Sequence, residues 1–179
     1  MLKKFKKINL RLNDDSWEFK GVSNVRNIVR AIVIDSANNF YFVNPTRDDD
    51  FGKLNFIETS GGGVDKGETL KEAIKRELKE ELGIEVEIIT YLGKVIDYYN
   101  LIKRKNLNHY FLVRIISFGE KHLTKDELND FHLKTYKTNY EDALAFYTKN
   151  KDTKLGRLIY NREVPVLELI DTIIKENKL

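Results

Sequence analysis

A mixed α/β fold, with helices flanking a central sheet, is the fold class that this sequence predicts. Three observations predict it. Apolar and polar residues alternate in several short segments, as they do in half-buried strands. One segment in the middle of the chain has the end signals and the spacing of a helix. Two further helical patterns lie near the C-terminus, so strands and helices follow each other in mixed order.

Composition bounds the kind of protein and the chemistry open to it. The 179 residues are 41% hydrophobic and 33% charged, which predicts one globular domain and excludes a disordered chain. The absence of cysteine excludes disulfides, thiolate catalysis and zinc–thiolate sites. The histidines, His109, His122 and His132, do not have the spacing of metal ligands.

Charge and hydropathy limit the partners. The net charge is +3 and the cations are scattered, which suits anionic small ligands at least as well as nucleic acid. No stripe of interleaved aromatic and basic residues is visible along the chain. The basic N-terminus lacks the apolar run of a signal peptide, and no stretch has the length of a membrane span. We therefore expect a cytoplasmic protein with no membrane partner.

The first elements are strands. Ile8, Leu10 and Leu12 alternate with polar residues, and "NDDS" separates them from "WEF". This pattern predicts a β-hairpin within residues 1–24, as an N-terminal extension packed on a domain of residues 25–179. The segments "NIVRAIVI" and "NFYFV" flank "DSANN" and predict paired strands. The loop "NPTRDDDFGK" then leads into a short strand, "LNFIET", and into "SGGGVDKGE".

The central helix has a clear start and end. Thr69 with Glu72 three residues later forms the sequence pattern of a capping box. Gly83 suits the left-handed residue that ends a helix. The sequence therefore predicts a helix over 70–82. After it come the extended segment "EVEIITYLGKVIDYY", the strand "HYFLVRIIS", the polar loop "GEKHLTKDELND", the strand-like "FHLKTYKT", and helices in "YEDALAFYTK" and "VPVLELIDTIIKE".

Acidic residues fall on the apolar side of the central helix. At 100° per residue one arc contains Leu70, Ala73, Ile74, Leu78 and Leu82. Glu77 and Glu81 project within this arc, and Glu80 lies beside it. A merely solvated amphipathic helix would place its acids on the far face, because unpaired buried charge is costly. A hard cation such as Mg²⁺, which takes oxygen ligands, would make the arrangement tolerable.

The stretch from Gly62 to Ile84, "GGVDKGETLKEAIKRELKEELGI", resembles the Nudix box. Each fixed position of that motif is matched: Gly62, Glu68, Arg76, Glu77, Leu78, Glu80, Glu81, Gly83 and Ile84. The resemblance implies an α/β/α sandwich around a mixed sheet. It also implies hydrolysis, dependent on Mg²⁺ or Mn²⁺, of a nucleoside diphosphate linked to another group.

The resemblance also assigns roles by matching position. It implies that Glu77, Glu80 and Glu81 bind the metal and take part in catalysis, with Glu77 or a downstream acid as general base. The Gly61 carbonyl is a further metal ligand in some members. Arg76 and Glu68 are implied to form a structural pair. Family sites often recruit one more acid from a late loop, and Glu127 and Asp130 are the first candidates here, with Glu120 and Asp126 behind them.

The substrate is less well defined by the sequence. Arg30 and Arg47 are candidates for contact with phosphates, and Phe56, Tyr98 and Tyr99 for stacking on a base. Ser60 stands where many members have proline, and Pro165 is the only proline after the box, so the proline of ADP-ribose hydrolases is missing. This slightly favours nucleoside triphosphates or dinucleoside polyphosphates as substrates over ADP-ribose and nucleotide sugars. In each case the expected partner is a small nucleotide rather than a nucleic acid.

Two further hypotheses concern activity and assembly. A Nudix-fold module that senses a nucleotide without cleaving it is the alternative to an enzyme, and the retention of all box acids favours the enzyme. The N-terminal hairpin could serve a homodimer.

Overall fold

The computed structural model describes residues 3–123 and 133–177, apart from the side chains of residues 47, 48, 53 and 54. Within these ranges a six-stranded sheet has the order β1-β6-β7-β2-β3-β8, and β4 and β5 form a separate two-stranded hairpin. The strands are β1 (Ile8–Leu12), β2 (Asn24–Ile34), β3 (Phe40–Asn44), β4 (Thr46–Asp49), β5 (Gly52–Asn55), β6 (Ile84–Tyr99), β7 (Arg104–Phe118) and β8 (Lys134–Thr138). The helices are α1 (Leu70–Leu82), α2 (Tyr140–Asn150) and α3 (Lys154–Asn177).

The sheet is mixed. β1 is parallel to β6, and β7 is parallel to β2. The pairs β6–β7, β2–β3 and β3–β8 are antiparallel. Side chains of successive residues point to opposite faces of a sheet, so each face builds its own core. One core lies between the sheet and the helices α2 and α3, and the other lies between the sheet and α1. The predicted mixed α/β sandwich is thus confirmed.

A slot between β2 and β3 brings the two layers together. These strands pair only next to their connecting turn, through Val33–Tyr41 and Ile34–Phe40. Beyond that point the segment 58–64 runs between them, because Glu58 exchanges backbone hydrogen bonds with Val43 of β3. On its other side, the Ala31 and Val29 N–H groups of β2 donate to the carbonyls of residues 60 and 62. The glycine-rich loop is therefore an inserted part of the sheet.

The helix α1 forms where the sequence predicts it. The Thr69 side chain accepts a hydrogen bond from the Glu72 N–H, the Glu72 side chain accepts one from the Thr69 N–H, and Gly83 ends the helix in the left-handed region. The predicted apolar arc packs on the sheet, with Ala73, Ile74 and Leu78 fully buried. Burial of one such branched side chain contributes roughly 1.5–3 kcal/mol. Tertiary packing therefore agrees with the local signals of this helix.

The N-terminal segment differs from its prediction. Residues 8–12 form one strand, and no strand follows in "WEF", so no hairpin forms there. Instead β1 pairs with β6, from Ile8 opposite Gly93 to Leu12 opposite Asp97. Its apolar side chains pack on the core beneath α2 and α3. The free edge of β6 offers a longer partner than the three-residue return strand "WEF" would, which explains the outcome.

Two other segments form more structure than predicted. The stretch predicted as a loop, "NPTRDDDFGK", contains most of the β4–β5 hairpin. The last helix begins at Lys154, about ten residues before the predicted start, and contains Pro165 in its interior. Burial of Leu155, Leu158 and Ile159 in the core offsets the cost of an internal proline. Within residues 3–123 and 133–177, no helix is long and apolar enough to cross a membrane.

Candidate active site

A cleft of about 350 Å³ opens where the glycine-rich loop interrupts the sheet. One end is lined by Glu58, Glu81 and the Gly61–Gly62 backbone, and the other side by Leu155, Ile159 and Arg162 of α3. α1 and α3 pack on opposite faces of the sheet, so a carboxylate of α1 reaches this cleft through the slot between β2 and β3. Residues of both helical layers, α1 on one face of the sheet and α3 on the other, therefore line the same cleft.

Glu81 is anchored to the loop that fills the slot. Its Oε2 accepts hydrogen bonds from the Ser60 hydroxyl at 2.5 Å and from the Gly61 N–H at 3.0 Å. Its side chain is buried, as the position on the apolar arc of α1 predicts. Two donors on one oxygen fix the orientation of the carboxylate. Ser60, which stands where many members of the family have proline, thus orients the Glu81 carboxylate.

Glu77 lies directly against the loop. It is also buried, and its carboxylate covers Gly62: a Cβ at that glycine would lie 2.5 Å from Glu77 Oε1. Any side chain at residue 62 would therefore displace the acid. This close approach gives a physical reason for glycine at the first position of the box.

Arg76 holds the acids of the helix together. Its Nη1 donates to Glu77 Oε1 at 2.8 Å and to Glu80 Oε2 at 3.1 Å. Its Nε and Nη2 donate to the two carboxylate oxygens of Glu68 at 2.9 and 3.0 Å, and Nη2 also donates to the Gly63 carbonyl at 2.9 Å. The fork of a guanidinium can make such contacts on several sides at once. The expected Arg76–Glu68 pair is present, and it ties the loop to the helix.

Charges in this cluster are mutually stabilised. The hydrogen bond from Arg76 is the main cause that lowers the pKa of Glu68 below its usual range. Reciprocally, the hydrogen bond to Glu68, followed by Glu77, raises the pKa of Arg76, against the opposing effect of burial. Glu68 and Arg76 are therefore both ionised at neutral pH.

The donors here have the chemistry of a hard-cation site. Carboxylate oxygens of Glu77, Glu80 and Glu81 and the Gly61 carbonyl are the oxygen ligands that Mg²⁺ takes. The carbonyls of residues 60 and 62 bond to β2, so the intervening Gly61 carbonyl points to the other side. In the part of the chain that the structure describes, however, no three acidic or histidine side chains are gathered into a ready-made metal cluster. The donor types fit a divalent cation, and binding would require the acids to converge.

A buried polar network forms the floor of the cleft. Arg162, 1% exposed, donates from Nε to Glu163 Oε1 and from Nη1 to Asp97 Oδ2 and the Tyr99 hydroxyl. Asn106 donates from Nδ2 to Asp97 Oδ1 at 2.8 Å, which fixes its amide orientation because a carboxylate cannot donate. Among the described residues, Arg162 Nη2 and Asn106 Oδ1 have no hydrogen-bond partner. A polar ligand that reached this floor would meet one donor and one acceptor.

The network also reaches the loop from the opposite layer. Glu163 accepts hydrogen bonds from the Thr59 and Tyr110 hydroxyls, both at 3.2 Å. Burial raises the pKa of Tyr99 to about 12, with the nearby Arg162 acting in the opposite direction, so its hydroxyl stays protonated. Thr59 is therefore held by α3, while the next two residues, Ser60 and Gly61, are held by Glu81 of α1.

Some of the substrate candidates from the sequence meet in the cleft and others do not. Arg30 and Tyr99 line it, although Arg30 is largely engaged by Asn108 Oδ1 and the Thr59 carbonyl. Phe56 is buried in the core against Phe146. Tyr98 points to the other face of the sheet, because it is adjacent to Tyr99 in β6. The side chain of Arg47 lies outside what the structure describes.

Several cleft residues were missed by the sequence analysis. They are Arg26, Phe51, Glu58, Arg104, Asn106 and Arg162. Phe51 packs edge-to-face on Tyr99, with ring centroids 5.7 Å apart, and these two rings form the aromatic wall. Arg26 and Arg104 lie near the starts of β2 and β7, ahead of the segments "NIVRAIVI" and "HYFLVRIIS" that predicted these strands. Arg162 likewise precedes the segment that predicted its helix.

The proposed late-loop acids Glu127, Asp130 and Asp126 lie outside the described residues. Glu120 is described and exposed. The segment that leads into this loop contacts the end of α1: the His122 N–H donates to the Glu80 carbonyl at 3.0 Å, and the Gly119 N–H donates to the Gly83 carbonyl. The loop therefore starts beside the acids of the helix.

Comparisons with known proteins agree with this geometry. The family model described as NUDIX domain matches residues 25–155. An RNA pyrophosphohydrolase from Campylobacter jejuni subsp. jejuni serotype O:23/36 (strain 81-176) is 34% identical over 144 residues, which cover 71% of this chain and 87% of that protein.

Solved structures extend the likeness to the fold. A NUDIX hydrolase from Nitrosomonas europaea superposes with a TM-score of 0.57 at 15% identity, covering 69% of this chain and 78% of its own. A MutT protein from Methanosarcina mazei Go1 superposes with a TM-score of 0.55 at 18% identity, covering 82% and 98%. At these identities the likeness concerns the fold alone.

Proposed function

Because the chain belongs to the NUDIX family of hydrolases and is a pyrophosphohydrolase, we propose that its substrate is the 5′-polyphosphate end of an RNA. The observation that carries the proposal is the composition of the cleft. Buried carboxylates stand at one end, and Arg26, Arg104 and Arg162 line the remainder, beside the ring of Tyr99. Cations suit the phosphates of a 5′ end, and an aromatic ring accepts any base.

The curated relative supports the choice of RNA among the nucleotide classes. The sequence alone favoured free nucleoside triphosphates or dinucleoside polyphosphates. Relatives at 34% identity over most of their length are RNA pyrophosphohydrolases, so we place RNA first and keep free nucleotides as the comparison. The mouth of the cleft, at Arg26 and Arg104, lies at the start of strands β2 and β7, where a nucleotide chain can continue outwards.

The residues of α1 would prepare the site for hydrolysis. We propose that Glu77, Glu80, Glu81 and the Gly61 carbonyl hold a divalent cation, Mg²⁺ or Mn²⁺. Such a cation supplies charge that neutralises the pyrophosphate and lowers the pKa of a bound water. Ser60 and the Gly61 N–H orient Glu81, and Arg76 donates hydrogen bonds to both Glu77 and Glu80 and holds them close together.

The reaction breaks one P–O–P bond. The oxygen of water attacks phosphorus, its proton goes to a carboxylate, and the released phosphate leaves as an anion. Glu77 is the base that we propose, with the acids of residues 124–132 as the alternative source. The arginines of the cleft would hold the polyphosphate in line with this attack.

The test is product analysis with the purified protein in ¹⁸O-water. A short 5′-triphosphorylated RNA with Mg²⁺ should yield 5′-monophosphorylated RNA, with the label in a phosphate product. Excess chelator should abolish turnover, and Glu80→Gln and Glu81→Gln should each lower it by at least about a hundredfold with the fold retained. Full activity in chelator or in either variant would contradict the mechanism. Cleavage of free nucleotides alone would contradict the substrate, and binding without turnover would favour a sensing module.

A further inference from the structure

One face of the sheet is only half covered. α1 packs on the part of this face that contains Ala31, Val33, Phe111 and Val113. Towards the start of β2 the face is open, and Val25 is 60% exposed. This open part lies behind the cleft, on the other side of the same strands.

The strand register gathers cations on the open part. One row across the strands contains Arg11, Ile96, Leu107 and Asn27, and the neighbouring rows contain Asn9, Lys94, His109 and Val29, and Tyr98, Lys105 and Val25. These rows hold three cations and no acidic side chain. We call the surface formed by Lys7, Arg11, Tyr91, Lys94, Tyr98 and Lys105 the open sheet face.

Aromatic rings of the open sheet face hold the cations of Lys7, Arg11 and Lys105 in place. Arg11 and Lys105 both lie over the ring of Tyr98, at 5.6 and 6.0 Å from its centroid, and Arg11 donates to the Tyr98 hydroxyl at 2.6 Å. Lys7 lies 5.3 Å from the centroid of Tyr91. Charges held by rings lose less freedom on binding than free surface lysines do.

A small pocket adjoins these residues. It has a volume of about 290 Å³ and is lined by Arg11, Phe19 and Tyr98, with Asp14 and Asn100 among its other residues. Phe19 is 62% exposed and meets Tyr98 edge-on. The Asp14 carboxylate accepts hydrogen bonds from the backbone N–H groups of Ser16, Trp17 and Asn100, so it is not a free charge in the pocket. Aromatic walls with one arginine suit a nucleobase.

The open sheet face is continuous with the mouth of the cleft. Arg104 and Tyr99 line the cleft, and their chain neighbours Lys105 and Tyr98 belong to the open sheet face. Neighbouring residues of a strand are about 3.3 Å apart along it and point to opposite faces. An RNA chain that leaves the cleft at Arg104 therefore needs only to pass around the end of the sheet where β7 begins to reach Lys105.

We propose that the open sheet face binds the single-stranded RNA that follows the 5′ end held in the cleft, with one base in the pocket of Phe19 and Tyr98. This inference rests on the proposed function for its choice of ligand. Fixed cations without acids match a phosphate backbone, and aromatic faces match unpaired bases of any sequence.

The test measures how binding and KM depend on RNA length, and whether that dependence is lost when the charge of the open sheet face is changed. The substrates are 5′-triphosphorylated RNAs of about three and about twenty nucleotides with the same unstructured 5′ sequence, and binding is measured with their 5′-monophosphorylated forms. The variant is Arg11→Glu/Lys94→Glu/Lys105→Glu. The matched control, Lys75→Glu/Lys149→Glu/Lys151→Glu, changes net charge equally on surfaces away from the open sheet face.

The variant should raise KM and Kd for the longer RNA by about tenfold or more, and lower the salt slope of log Kd by about two. Its KM for the shorter RNA should stay within about twofold of wild type. The control should change neither. A neutral variant, Arg11→Gln/Lys105→Gln, repeats the test should the charge reversal lower the melting temperature.

Equal affinity of the wild type for the two RNA lengths would overturn the inference, as would an unaltered longer-RNA affinity in both variants. A wild-type dimer that the variant converts to monomer, with RNA binding unchanged, would assign this face to a second copy instead. Loss of the proposed function is read separately, because turnover of the shorter RNA reports on the cleft and binding of monophosphorylated RNA reports on the open sheet face.

Discussion

Arg76 makes five hydrogen bonds to acceptors on three sides, and three of its partners are carboxylates. Arg76→Ala should lower the free energy of unfolding by about 1–3 kcal/mol, because Glu68, Glu77 and Glu80 lose their shared cation in a partly buried site. Urea unfolding measures this, and Arg76→Lys should fall in between because it keeps the charge and loses the fork. A variant that melts like wild type and has lost all turnover would contradict the structural role.

Gly62 leaves the space that the Glu77 carboxylate occupies. In Gly62→Ala the new Cβ would lie 2.5 Å from Glu77 Oε1, and the end of a glutamate can move aside. We therefore expect a small loss of stability, about 1 kcal/mol, but a fall in kcat of about a hundredfold from the displaced acid. Gly119→Ala is the control, since its Cβ would have its nearest neighbour at 3.7 Å. Wild-type turnover in Gly62→Ala would show that Glu77 need not stay where it is.

Glu68 links stability to pH. The hydrogen bond from Arg76 lowers its pKa from the unfolded value of 4.5, so its contribution to stability is present above about that pH and is lost as the pH falls through the folded pKa. Glu68→Gln should therefore be less stable than wild type at neutral pH and lose less stability on acidification. Melting temperatures between about pH 7 and pH 3 test this. In an Arg76→Ala background the same substitution should have little effect on the slope, and an unchanged slope in Glu68→Gln alone would refute the assignment.

At the scale of elements, β1 completes the sheet and is more than an appendage. Phe5, Ile8, Leu10 and Leu12 pack on the larger core, and β1 covers the edge of β6. Removal of residues 1–12 should cost about 3–5 kcal/mol and promote aggregation, because it exposes apolar surface and an unpaired edge. Urea unfolding and light scattering measure the two effects.

The matched control for this deletion removes residues 1–4 only, which leaves Phe5 and the strand in place. We expect its free energy of unfolding to be close to that of the full chain. If the larger deletion has the same free energy of unfolding as the full chain, residues 1–12 are instead an extension that the domain of residues 25–179 does not need for its stability.

At the scale of the whole molecule, Arg162 joins the C-terminal helix to the sheet. It bridges Asp97 of β6 and Glu163, which in turn binds Thr59 beside the glycine-rich loop. Arg162→Met should cost about 3–5 kcal/mol, because it leaves two buried carboxylates without their cation. Arg157→Met on the same helix is the control. It should lower the free energy of unfolding by about 0.5 kcal/mol or less, because Arg157 is exposed and lies 4.0 Å from Asp15.

Asp97→Asn provides a second check on this network. In the Arg162→Met background it should restore part of the lost stability, because it removes one of the two uncompensated charges. Additive losses from the two substitutions would show that Arg162 and Asp97 do not stabilise each other. The same unfolding experiments would then leave the buried position of Arg162 without an energetic explanation.

The sequence by itself determined the helix α1 and the burial of its acids. Thr69, Glu72 and Gly83 act on backbone groups within one helical turn, and the arc that contains Glu77 and Glu81 follows from 3.6 residues per turn. These are short-range effects, so the printed residues suffice to predict them. The box acids and their partners Arg76 and Glu68 could be named for the same reason, since they lie within one loop and one helix.

Only the tertiary structure decided the rest of the cleft and the open sheet face. Arg26, Phe51, Arg104 and Arg162 come from four distant segments, and Arg11, Tyr98 and Lys105 meet only through the register of β1, β6 and β7. Register depends on which strand edges pair and which faces are buried, and no local spacing encodes that choice. The sequence contained the residues of an aromatic–basic surface, and the pairing of its strands brought them to one face.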